Sequence, residues 1–95
     1  MKVAKYKNFQ EVPVWQIDHG STLKIYNAIR KFPKTETDGL SAQIKRSASS
    51  VPANIAEGFY RNTTKELIQF LYNARCSCVE TIYHRVLAKD LGYIN

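Results

Sequence analysis

Cys76 and Cys78 are the only cysteines of this chain, and His19 and His84 the only histidines. A C-x-C pair on a helix points its side chains about 200° apart, so it neither chelates one metal nor closes a disulfide there. The two histidines stand at no spacing that would complete a zinc set. The expectation is no metal site, with both cysteines as small buried hydrophobes. Catalysis needs a nucleophile beside a base, paired carboxylates, a metal set or a phosphate loop. None is read here. Gly20, Gly39, Gly58 and Gly92 are scattered and punctuate helices. Glu57 and Glu80 could meet across two helices, and a buried structural pair accounts for that more cheaply. The sequence therefore reads as a non-enzyme that carries no cofactor.

What remains is charge. The chain has a net charge of +6 and a pI near 9.5. An acidic partner fits that balance, nucleic acid being the commonest. The candidate contacts are Lys45, Arg46, Arg61, Lys65, Arg75, Arg85 and Lys89, with Tyr60 and Tyr72 near them. Arg61 and Lys65 flank the start of a predicted helix whose free amides suit phosphate. Binding of this kind is salt-sensitive and largely blind to sequence. The competing reading makes each cation a solvated surface charge.

These residues need elements to place them. Ninety-five residues make one domain at most. Hydrophobic residues are 44% and charged residues 23%, the balance of a soluble globular chain. No apolar run approaches the roughly 20 residues that span a bilayer. The N-terminal lysines have no hydrophobic region behind them, so no secretory signal is read and a cytoplasmic address is expected. Residues 1–11 read as a polar arm. A first amphipathic helix is predicted over about 13–32, with Trp15, Leu23, Tyr26 and Ile29 as its stripe and Pro33 as its stop. Thr35 is placed to cap a second helix over about 36–58, with Glu36 and Asp38 in its first turn. Leu40, Ile44, Ala48, Val51 and Ile55 form its apolar stripe, and Gly58 is a plausible terminator. Thr63 and Glu66 make a capping box for a third helix over about 63–90. Its stripe is Leu67, Leu71, Ala74, Cys78 and Ile82, and Gly92 supplies a stop. Short connectors between long helices predict an all-α, antiparallel up-down bundle.

The second helix carries a further stripe of Gln43, Arg46, Ser50, Asn54 and Glu57, about 120° from the apolar one. Two readings stand. It is a hydrogen-bonded network, with Arg46 and Glu57 satisfied by other helices, or it lines a groove or pore that meets a ligand. Ala42, Ser49, Ala53 and Ala56 form a sector of small side chains. Pro52 removes one amide and leaves the Ala48 carbonyl without its helical partner, so a bend is expected nearby.

The run "FPKTETDGLSAQIKRSASSVPANIAEGF", followed by "RNTTKELIQFLYNARCS" and "LAKDLGYI", closely resembles the four-helix-bundle proteins encoded in bacterial 23S rRNA intervening sequences. That family's pattern is approximately F-P-x-x-E-x-x-G-L-x-x-Q-I-[RK]-R, then S-[IV]-P-x-N-I-A-E-G. Phe32, Pro33, Glu36, Gly39, Leu40, Gln43, Ile44 and Arg46 hold the first set of places, and Ser50, Pro52, Asn54, Ile55, Ala56, Glu57 and Gly58 the second. The resemblance covers about residues 12–94. It implies an antiparallel four-helix bundle that assembles as a homo-oligomeric ring, with a pentamer expected. It also implies RNA or other nucleic acid as a partner, or a reverse transcriptase, as for the related accessory protein of diversity-generating retroelements. Two departures follow. Cys76 and Cys78 hold places that are glycine and leucine in the family's G-S-L-x-E-L run, while Ser77 and Glu80 are kept. The chain also stops at Asn95, where the family's fourth helix begins. Truncation, or a neighbouring protomer covering that face, would account for it.

Overall fold

Three α-helices carry the chain in the computed structural model, which describes residues 5–95: α1 (Pro13–Ile29), α2 (Leu40–Phe59) and α3 (Thr64–Asp90). No strand occurs among the described residues. The bundle measures 44 × 21 × 20 Å, a length set by the 27 residues of α3 at about 1.5 Å each. Of the expected polar arm, residues 1–4 lie outside the described residues. The rest is anchored. Asn8 caps a 3-10 turn at Phe9–Glu11 by accepting from the Gln10 amide at 3.0 Å. Phe9 sets its ring edge-on to Trp15 at 4.9 Å and to Tyr60 at 6.4 Å.

Helix ends follow local chemistry. The helix α1 stops at Ile29 rather than near Phe32, because Lys31 and Phe32 already bond to Ala28 and Ile29 in tight i−3 turns ahead of Pro33. The start of α2 lies at Leu40, later than expected. A 3-10 turn at Lys34–Glu36 intervenes, and Thr35 is not the cap. The Glu36 carboxylate takes that role from four residues away, accepting from the Leu40 amide at 3.1 Å. At the far end Gly58 does not terminate α2; it is buried within the last turn. A Cβ there would lie 3.1 Å from Phe70 Cβ and 3.2 Å from Leu67 Cδ1. Gly58 leaves room for a close approach of α2 to α3. Thr63 caps α3, its hydroxyl oxygen accepting from the Glu66 amide at 3.1 Å. The Glu66 carboxylate returns to the Thr63 hydroxyl at 3.0 Å, not to the backbone amide expected of a full capping box. Gly92, at φ +82°, closes α3 in a Schellman arrangement: Tyr93 N–H bonds to the Ala88 carbonyl and Gly92 N–H to that of Lys89.

The helices pack antiparallel, as the pairings show: Thr22 meets Ala48 and Tyr26 meets Lys45 between α1 and α2, while Ser47 meets Thr81 and Ser50 meets Ser77 between α2 and α3. One apolar cluster joins Ile29, Leu40, Ile44 and Ala88, with Phe32, Leu87 and Tyr93 packed against it. Burying each such Leu or Ile side chain contributes roughly 1.5–3 kcal/mol. The apolar stripe of α2 is buried as expected, Val51 being half-buried.

The stripes of the outer helices differ from the expected ones. In α1, Leu23 and Tyr26 are exposed, while Thr22 and Ile29 are buried. Among the helices its backbone comes near α2 alone: no α1 Cα lies within 8 Å of an α3 Cα. A single neighbour covers only a narrow strip of a helix. In α3 the seam against α2 runs through Leu67, Phe70, Ala74, Ser77, Thr81, His84 and Ala88, buried or half-buried at steps alternating 3 and 4, the spacing of a heptad seam. Leu71, Cys78 and Ile82 fall outside that seam and are exposed. Cys76 and Cys78 are exposed free thiols, not buried hydrophobes.

Candidate nucleic-acid interface

The seam between α2 and α3 is polar along its middle. Ser77 Oγ donates to Ser50 Oγ at 2.8 Å. Asn54 Nδ2 donates to the Ser50 carbonyl at 2.8 Å and approaches Ser50 Oγ at 3.0 Å. One turn away, the Thr81 hydroxyl lies 2.9 Å from both Ser47 Oγ and the Ser77 carbonyl, with one proton to give. His84, only 5% exposed, sets Nδ1 3.4 Å from Ser47 Oγ and Nε2 3.9 Å from the Glu80 carboxylate. Ser47, Thr81 and His84 were not among the expected site residues. Their signal is the run of hydroxyl residues along two facing heptad seams.

The polar stripe of α2 therefore divides. Ser50 and Asn54 belong to this seam, whereas Gln43, Arg46 and Glu57 are exposed. Glu57 pairs with Arg61 at 3.6 Å, four residues on, rather than with another helix or with Glu80. A single buried network does not form because the stripe's arc reaches past the edge of the α2–α3 contact.

The basic candidates are spread over three regions. Arg61 is structural in its contacts: its guanidinium lies 4.4 Å from the Phe70 ring centroid and beside Glu57, and its buried Nε has no partner among the described residues. Lys45 holds its ammonium over the Tyr26 ring at 5.6 Å, and Arg46 is exposed on α2. Lys65 and Arg75 are exposed on α3 with Tyr72, within about 80° of one another at 100° per residue. Arg85 stands at the edge of a groove between α1 and α3, and Lys89 is exposed in the last turn, where a cation complements the helix dipole. Among the described residues only two carboxylates come within 4 Å of a basic side chain, Glu57 with Arg61 and Glu80 with the His84 ring. Arg46, Lys65, Arg75, Arg85 and Lys89 are in neither pair.

Two apolar surfaces lie beside these cations. The groove has a volume of about 420 Å³, with Ile44, Ala48 and Val51 on its floor and Ile25 and Ile82 on its walls. Asp18 lines it, and burial raises its carboxyl above the ordinary value. The second surface is the outward face of α3. Ile68, Tyr72, Val79, Ile82 and Val86 are each between 51% and 59% exposed. With Arg75 they step by 4, 3, 4, 3 and 4, so α3 carries a second heptad stripe facing away from α2.

No group of three or more His, Cys, Asp or Glu residues that could hold a metal ion occurs among the described residues. Among the described residues no helix is long and apolar enough to cross a membrane. No curated protein sequence matches the chain. The family model described as 23S rRNA-intervening sequence protein matches residues 10–95, spanning both the paired α2–α3 seam and α1. The chain belongs to that family.

Proposed function

We propose that this protein is a non-enzymatic, cytoplasmic helical-bundle subunit that self-associates and binds RNA through the basic side chains its assembly displays. The observation that carries the reading is the set of exposed cations without carboxylate partners: Arg46, Lys65, Arg75, Arg85 and Lys89. Ion pairing would cancel such charge locally; here it is left facing outward. One subunit spreads these cations too widely for a tight site. A homo-oligomer, a pentamer by the family's resemblance, multiplies weak patches through effective concentration. Tyr60 and Tyr72, both exposed, offer rings for base stacking.

The test joins light scattering to the absorbance ratio at 260 and 280 nm, followed by RNA titration at rising salt. An oligomer whose RNA affinity falls steeply between about 50 and 200 mM salt supports the reading. A nucleic-acid-free monomer overturns it. A second reading is favoured by the open groove between α1 and α3, whose apolar floor suits a helix from another protein. In that case the chain is an accessory subunit, for instance of a reverse transcriptase. It would then co-purify with a protein and retain no RNA at moderate salt.

A further inference from the structure

A cleft of about 370 Å³ lies where the end of α1 meets the start of α2; it shares Ile29 and Phe32 with the groove and has no α3 residue in its lining. Arg30, Lys34 and Lys45 line it, and no carboxylate does. Tyr26, Thr37 and Ser41 complete the polar wall. None of the three cations is in an ion pair. We propose that this cleft binds a phosphate group.

Four observations carry the proposal. The first is the unneutralised positive charge. The second is the first turn of α2: the Ser41 and Ala42 amides have no acceptor among the described residues, whereas the next amide, Gln43, bonds to the Gly39 carbonyl. Such free amides and the aligned helix dipole favour an anion. The third is Ser41 itself. It is only 6% exposed as a residue and lines the cleft, and no side-chain hydrogen bond holds its hydroxyl, whose oxygen is not among the buried unpartnered atoms and so opens on solvent. Opening on this cleft, the hydroxyl has its proton available to a bound oxygen. The fourth is Lys45, whose ammonium lies over the Tyr26 ring at 5.6 Å, both residues lining the cleft. Thr37 adds no donor, since its hydroxyl donates to the Lys34 carbonyl at 2.8 Å. The nearby carboxylate of Glu36 does not occupy the site. It takes the Leu40 amide and the Tyr93 hydroxyl, and leaves the next two amides open.

The phosphate can belong to an RNA backbone or to a small free phosphate compound. None of the cleft's cations is among the five assigned to RNA above, Lys45 being a sequence candidate only, so the two proposals fail separately. The experiment titrates the full chain with sodium phosphate, and with sodium chloride at matched ionic strength, following amide chemical shifts and calorimetry. Saturable shifts at Ser41 and Ala42 with phosphate alone are expected. Ser41→Ala should weaken binding about tenfold, in line with loss of a hydrogen bond to a charged group. Lys34→Gln and Lys45→Gln should each weaken it severalfold and leave the fold intact, since both side chains are exposed. Equal shifts with chloride, or full affinity in Ser41→Ala, would overturn the site. Two further ligands identify the source. An eight-residue oligouridylate that moves the same amides and is displaced by phosphate marks a backbone site. Uridine monophosphate acting where the oligomer does not marks a small-ligand site. Salt-sensitive RNA binding that persists with no phosphate effect at Ser41 overturns the cleft and leaves the RNA reading standing.

Discussion

Gly58 and Gly20 are the same residue type with opposite consequences. Replacing Gly20 by alanine puts a Cβ where nothing lies within 4 Å, so the helix gains up to about 1 kcal/mol. Replacing Gly58 pushes a Cβ against Phe70 Cβ and Leu67 Cδ1. Phe70 Cβ moves only with the α3 backbone, and overpacking of this kind costs about 1–3 kcal/mol, more than the helical gain. Thermal melts should show Gly20→Ala above the parent and Gly58→Ala below it by several degrees. Two carboxyls give opposite pH signatures. The Leu40 amide and then the Tyr93 hydroxyl hold the Glu36 carboxyl below its ordinary value of 4.5. Its stabilisation is present above 4.5 and is lost as pH falls through the lower folded value. Burial holds Asp18 above 3.8. Its charged form therefore costs stability as pH rises past 3.8 and through the folded value. Asp18→Asn should melt higher than the parent at pH 7 and equal to it below 3.8, while any deficit of Glu36→Gln at pH 7 should close on acidification. At this scale the sequence was partly legible. Glu36 was placed near a helix start, and Thr63–Glu66 was read as a cap. Gly58 was misassigned because a glycine near a helix end looks alike whether it stops the helix or admits a neighbour.

At the scale of elements, α2 runs unbroken through Pro52 from Leu40 to Phe59. The Ala48 carbonyl, which Pro52 leaves without an amide, is met by the Thr22 hydroxyl of α1 at 3.3 Å. That hydroxyl shares its one proton with the Asp18 carbonyl at 2.9 Å. Ser49 donates to the Lys45 carbonyl at 2.7 Å. Thr22→Val should cost about 1–2 kcal/mol, the penalty for a buried acceptor left unmet. In a Pro52→Ala background, where residue 52 regains its amide, that cost should shrink. Chemical denaturation of the four proteins in a double-mutant cycle reads the coupling, and a coupling of zero would sink the pairing. The orphaned carbonyl was legible from Pro52 alone. Its partner was not, because no local pattern tells which hydroxyl of another helix will face it. The α3 stripe was misread for a related reason. That helix carries apolar residues on two heptad lines, and only the pairing with α2 selects one as the seam.

For the whole molecule, the all-α bundle was legible because three long periodic segments with short connectors leave few other arrangements. The basic site was less so, since charge positions along a sequence say little about which side of a bundle each reaches. The second heptad stripe of α3 gives the assembly a definite test. Val79→Glu places a carboxylate in the middle of that exposed apolar line. If the stripe is a subunit seam, burying an unpaired charge there costs about 3 kcal/mol or more, over a hundredfold in association. Light scattering should report a smaller mass for Val79→Glu with an unchanged helical spectrum. An unchanged mass would place the subunit contact elsewhere.

The one-sided seating of α1 bears on how the molecule opens. The seam between α2 and α3 is lined along its length, whereas α1 buries only Thr22 and Ile29 and, among the helices, brings its backbone near α2 alone. Protection against hydrogen exchange should divide accordingly. Amides of α1 should exchange through a low-energy detachment that leaves the α2–α3 hairpin folded. Those around Ile44, Ala74 and His84 should exchange only when the hairpin itself unfolds. A ligand seated in the groove between α1 and α3 would slow the first class most, turning exchange at α1 into a reporter of what fills that groove.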